Sequence, residues 1–113
     1  MVRKITPEEL EEKDLEEVEV IDIRKEHELN QTNGLMIPNS KHIPYSELTS
    51  RLDEIEFKDE VFVICRHGNS SIMAVRLLDS YEGSSGSDVY NVTGGYLEWE
   101  DEMVDPILSK VEV

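Results

Sequence analysis

Residues 65–71 read CRHGNSS: the chain's single cysteine, then a run of basic, small and polar residues. A thiolate is a strong nucleophile, and cysteines held at helix N-termini or beside cations have pKa values of about 3.5 to 7.5. Arg66 and His67 supply local positive charge. Gly68 permits a tight loop whose backbone comes close to a ligand. The helix expected next turns its positive end and free N–H groups toward the sulfur. Such a thiol can attack directly, so a separate general base is not demanded; His67 is more simply read as solvated or as weakly anion-binding. Ser70 and Ser71 can donate to a bound anion, or one of them can cap the helix, and the two roles are compatible. Taken alone, a cysteine after an apolar strand also fits a buried thiol acting as a small hydrophobe. The loop composition and its strand, loop and helix setting favour a reactive site.

Two reaction classes use a cysteine in an anion-binding loop before a helix. Cysteine phosphatases need an arginine six positions after the nucleophile to clamp phosphoryl oxygens. Here that position is Ser71, and the next arginine, Arg76, lies well into the expected helix. Phosphoryl transfer therefore lacks its main charge stabiliser. An arsenate-reductase cycle lacks an internal resolving thiol, since there is no second cysteine. A loop of this kind suits the less demanding chemistry of holding a sulfur atom as a persulfide on Cys65, with backbone N–H groups stabilising the terminal sulfur anion.

The flanking pattern supplies the elements that must position the thiol. Thr6-Pro7-Glu8-Glu9 opens a short helix over 7–13, with Thr6 as cap, Pro7 at the first turn and Glu9 completing a capping box. Residues 17–23 alternate and then turn apolar, which reads as a strand. Residues 24–29 suit a short helical turn, and 30–34 a loop. The segment 35–44, broken by Pro38 and Pro44, holds a brief strand and an extended run. Leu48, Leu52 and Ile55 predict a helix over 47–55 with Ser46 as cap. Residues 61–64 form the next strand. Ala74, Leu77, Leu78 and Tyr81 give the stripe of a helix over 71–81, leaving Arg76, Asp79 and Ser80 toward water. A loop over 82–87, a strand over 88–92, a turn at Gly94-Gly95, a helix over 96–103 and a last turn near 106–110 complete the chain. Strands alternating with helices imply an α/β fold: one domain over 1–113, with a central parallel sheet flanked by helices on both faces. In such sheets, sites lie beyond the carboxyl ends of the strands, where Cys65 falls.

Bulk composition narrows the function classes. At 113 residues the chain is one domain on size priors, and a formal charge of −15 argues against nucleic-acid binding, which needs a basic footprint. No apolar run approaches the roughly 18 residues of a membrane span, and the N-terminus has no long apolar segment, so neither membrane insertion nor a signal peptide is expected. A lone cysteine excludes a Cys-rich zinc site and an internal disulfide, and suits a reducing, cytoplasmic location. No metal or cofactor is called for.

The loop Cys65-Arg66-His67-Gly68-Asn69-Ser70-Ser71 resembles the active-site loop of the rhodanese family, most closely its single-domain thiosulfate sulfurtransferases of the GlpE type. The likeness extends over most of the chain. Thr6-Pro7-Glu8-Glu9-Leu10 resembles the family's opening helix, and Ile21-Asp22-Ile23-Arg24 its Asp-x-Arg strand end. Residues 34–44 resemble its Gly-His-Ile-Pro…Ile-Pro segment, and Val92-Thr93-Gly94-Gly95 with Trp99 its closing Gly-Gly…Trp signature. Leu35 replaces the usual histidine after Gly34, and Ser70 stands where many family loops place an arginine. The resemblance implies a ping-pong sulfurtransferase. Cys65 takes the outer sulfur of thiosulfate or a related anionic donor and passes it to cyanide, a thiol or a partner protein. Arg66, His67, Gly68, Asn69, Ser70 and Ser71 are the implied substrate-binding residues, Asp22 and Arg24 an implied structural support such as an ion pair, and Trp99 a packing residue. A carrier loaded by a protein sulfur donor is the alternative.

Overall fold

The computed structural model describes residues 2–30 and 36–96. Among these residues, five parallel strands form one sheet: β1 (Arg3–Ile5), β2 (Glu19–Asp22), β3 (Lys41–His42), β4 (Glu60–Ile64) and β5 (Asp88–Val92), in the order β1-β5-β4-β2-β3. β4 is central. Its residues pair with β2 from Val61 opposite Glu19 to Ile64 opposite Asp22, and with β5 from Glu60 opposite Asp88 to Val63 opposite Asn91. A strand buried on both faces reads as an unbroken apolar run. The pleat then divides it: Val61, Val63 and Cys65 join one core layer, Phe62 and Ile64 the other.

Helices cover both layers. α1 (Pro7–Glu11) sends Leu10 into the layer of Phe62 and Ile64. α2 (Glu26–Asn30) is one short turn with no buried residue. α3 (Ser70–Asp79) packs Ala74, Val75 and Leu78 against Val61, Val63 and Cys65. The expected α/β architecture is therefore the observed one.

Several elements differ in detail. β1 was not foreseen, because Arg3 and Lys4 are exposed and Ile5 alone is buried, so an edge strand of three residues leaves no alternation to read. The expected helix over 47–55 is instead two 3₁₀ stretches, Tyr45–Glu47 and Thr49–Glu54, with Arg51 off helical geometry at φ −121° and ψ 22°. Leu48 and Ile55 are buried as the pattern requires, but over so short a segment apolar spacing cannot separate 3₁₀ from α pitch. Ser46 does not cap it; Pro44 precedes the first stretch with no side-chain cap bond. α3 starts at Ser70 and ends at Asp79, and its buried face is Ser71, Ala74, Val75 and Leu78. Tyr81 falls beyond it and is 38% exposed. The loop over 82–87 includes a 3₁₀ turn, Glu82–Ser84. The expected loop over 30–34, the helix over 96–103 with Trp99, and the turn near 106–110 lie wholly or largely outside the described residues.

α1 carries the capping box in full: Glu9 N–H donates to Thr6 Oγ1 at 3.1 Å, and Thr6 N–H donates to Glu9 Oε1 at 3.0 Å. The Thr6 N–H and then its hydroxyl hold the Glu9 carboxyl below its ordinary range. Stability from the charged form is thus present above the unfolded carboxylate pKa of about 4.3 and lost as pH falls through the lower folded value. Glu9→Gln is expected to lower the urea midpoint at pH 7, with the gap to wild type closing as the pH is taken below about 4. A gap independent of pH would show that the carboxylate charge is not what the cap uses.

Candidate functional site

Cys65 follows β4 directly, at the carboxyl edge of the sheet, and is 5% exposed. The loop curls back so that Gly68 N–H donates to Sγ at 3.0 Å. Gly68 takes φ +87°, and a Cβ there would meet Gly94 N at 2.7 Å, so the loop can lie against the Gly94-Gly95 turn only without a side chain. Gly95 is tighter still: with φ +59°, its Cβ would stand 2.1 Å from the Cys65 carbonyl oxygen. The chain after this turn then donates Tyr96 N–H to that same carbonyl at 3.0 Å. The cysteine is thus gripped at its sulfur by one loop and at its carbonyl by another.

Ser71 sits beneath the loop, fully buried, with Oγ 3.3 Å from Sγ. Its hydroxyl donates to Asn91 Oδ1, and Asn91 Nδ2 donates to Gly68 O at 3.2 Å. Asn91 is buried on β5. It was not singled out from sequence, although a polar residue inside the strand pattern DVYNV was the available signal.

Above Cys65 opens a cleft of ≈ 270 Å³. Arg66, His67, Asn69 and Ser70 line it from the loop; Lys25, Glu28 and Tyr45 face them from the segments after β2 and after β3. Of the loop residues expected to bind substrate, these four meet in the cleft with Cys65, while Gly68 and Ser71 lie below it. Neither Ser70 nor Ser71 caps α3: Asn69 occupies the cap position, with no side-chain cap bond. The Glu28 carboxylate accepts Lys25 N–H at 3.0 Å. Lys25, Glu28 and Tyr45 come from segments with no strong pattern, and nothing in the sequence marked them.

At the end of β2, beside β4, lies a buried ion pair. Arg24 Nε and Nη2 donate to Asp22 Oδ2 at 3.1 and 2.8 Å, and Arg24 N–H donates to Asp22 Oδ1 at 3.0 Å. Both side chains are fully buried. The guanidinium lies over the Tyr96 ring, 3.7 Å from its centre. Ile37 N–H donates to the Tyr96 oxygen at 3.1 Å, and burial, then the Asp22 charge, pushes the Tyr96 phenol well above its usual range. The pair lies outside the cleft lining. Arg24→Met, which strands the Asp22 charge in the interior, is expected to cost about 3 to 5 kcal/mol in urea denaturation at pH 7; a loss under about 1 kcal/mol would mean that water reaches Asp22.

A doubly wound parallel sheet that delivers one cysteine into a tight loop ahead of a helix defines a class of α/β domains with an anion-binding cysteine loop. Within that class, the chain belongs to the Rhodanese-like domain family, whose model matches residues 6–102. YtwF of Bacillus subtilis is 31% identical over 87 residues, covering 77% of this chain and 78% of that protein. Thiosulfate sulfurtransferase GlpE of Pseudoalteromonas translucida is 33% identical over 88 residues, covering 77% of each. The crystal structure of a rhodanese-related protein from Thermoplasma volcanium superimposes with a TM-score of 0.71 at 34% identity, over 88% of this chain and 92% of that one. The family is one of sulfurtransferases and sulfur carriers. Among the described residues no helix is long and apolar enough to cross a membrane.

Proposed function

We propose that the protein is a sulfurtransferase that moves a sulfane sulfur from thiosulfate or a related donor, through a persulfide on Cys65, to a thiophilic acceptor. The observation that carries this reading is Cys65 at the base of the cleft with Gly68 N–H 3.0 Å from Sγ, in a loop that has Ser71 where phosphoryl transfer would need arginine. The Cys65 thiolate attacks the outer sulfur of thiosulfate; the S–S bond breaks and sulfite leaves with its electron pair. The acceptor, cyanide in an assay or a thiol or partner protein in the cell, then attacks the outer sulfur of the persulfide. Cys65 departs as thiolate. Arg66 and His67 attract the anionic donor, Asn69 and Ser70 line its path, and Gly68 N–H steadies the sulfur charge. Asp22 and Arg24 hold the strand end beneath. The GlpE relative supports thiosulfate as donor, and the unpaired thiol suits a cytoplasmic setting.

Two observations favour a second reading. The Glu28 carboxylate and the −15 charge of the chain both oppose a small dianion. A carrier loaded by a protein donor, with slow small-molecule turnover, fits them. Intact-protein mass spectrometry after incubation with thiosulfate, and in parallel with 3-mercaptopyruvate, separates the readings. Wild type is expected to gain the mass of one sulfur and Cys65→Ser none. No gain with either small donor, but rapid loading by a cysteine desulfurase, would establish the carrier; no gain from any donor would remove both.

A further inference from the structure

Cys65, Ser71, Asn91 and Gly68 form a closed ring of buried polar contacts, and its donor order can be read. The Gly68 carbonyl can only accept, so the Asn91 amide nitrogen must face it, as the 3.2 Å contact has it. Asn91 therefore presents Oδ1, an acceptor, to Ser71. A hydroxyl has one hydrogen, and Ser71 gives it to Oδ1. Toward Sγ, 3.3 Å away, Ser71 shows lone pairs and can accept only from an S–H. This arrangement suits a sulfur that has a hydrogen. It does not suit a thiolate or the inner sulfur of a persulfide, which have none. For those states the Ser71 hydroxyl must rotate and turn its hydrogen to Sγ, leaving Asn91 Oδ1 without a donor in a buried place, which is costly.

We propose that Asn91 is a positioning residue: it competes with the Cys65 sulfur for the single Ser71 hydrogen, and so sets how readily Cys65 gives up its proton and accepts the electron pair when a persulfide is discharged. In that discharge the acceptor bonds to the outer sulfur and the S–S bond breaks. Its electron pair stays on Sγ, and the Ser71 O–H turns to it without transferring its proton. The inference rests on the sulfurtransferase reading only in taking Cys65 as the nucleophile.

A double-mutant cycle read by iodoacetamide alkylation of Cys65 across pH tests this without any sulfur donor. The charged groups facing the thiol are Arg66 and His67 on the loop and Lys25 and Glu28 across the cleft, with the Asp22–Arg24 pair below. All are common to every variant, so differences report the hydroxyl. Asn91→Ala frees the Ser71 hydrogen for the thiolate, and the alkylation midpoint is expected to move to lower pH by about 1 to 2 units, the size of one added hydrogen bond to a charged sulfur. In a Ser71→Ala background the same change is expected to move nothing. Asn91→Ser, whose short hydroxyl cannot bridge Ser71 and Gly68, is expected to repeat the shift if Asn91→Ala does not fold. A midpoint that stays or rises in folded Asn91 variants, or a fall that persists without the Ser71 hydroxyl, overturns the proposal. Because alkylation needs no sulfur transfer, that result is distinct from a failure of persulfide loading.

Discussion

Two full charges closed inside a small protein constrain everything near them. Neither Asp22 nor Arg24 reaches water, so each must find its partners within the fold, and Asp22 meets this need with contacts from both the side chain and the backbone of Arg24. The guanidinium face is then left to an aromatic ring, which Tyr96 provides from the far side of the glycine turn. Tyr96 in turn reaches Ile37 through its oxygen and Cys65 through its N–H. The end of β2, the segment before β3, the turn after β5 and the carbonyl of Cys65 are therefore fastened to one charge pair. Replacing such a pair with apolar residues is often tolerated elsewhere; here its extra contacts give it a positioning value that an apolar substitute would not supply.

How much of this could be read from the chain follows from which signals are local. β4 and α3 were legible because a strand buried on both faces and a helix with one apolar face each leave a periodic trace, and the capping box of Thr6 and Glu9 is a local rule. The place of Cys65 at the carboxyl edge of the sheet was legible because it directly follows the apolar run that forms β4. What was hidden depends on contacts between distant segments. β1 exists because β5 offers it an edge, and its own residues say little. The face of α3 is turned toward Ser71 and Val75 rather than Leu77 and Tyr81, since the helix must deliver Ser71 under the loop. Asn91, 20 residues beyond Ser71, has no meaning until the fold brings them together.

The electrostatics of the site oppose those of the whole. A strongly acidic chain places Lys25, Arg66 and His67 around one small opening and sets a single carboxylate, Glu28, among them. Short-range attraction from such a cluster acts inside a Debye length of about 8 to 10 Å at ordinary ionic strength, while the global repulsion of exposed charges is largely screened beyond it. The surface thus repels anions at long range in low salt, while inside the opening the near charges are mostly positive.

Gly68 and Gly95 carry a consequence for access. Backbone meets backbone at both, with Gly68 against Gly94 and Gly95 against the carbonyl of Cys65, and neither contact has a side chain that could give way. A loop braced so closely from two sides forms a tight rim around the sulfur. The sulfur, almost wholly covered, does not come out to meet its reactant. A donor or acceptor of the kind proposed above must then bring its sulfur on a slender projection, a terminal atom at the tip of a small anion or of an extended side chain, with bulk only behind that tip.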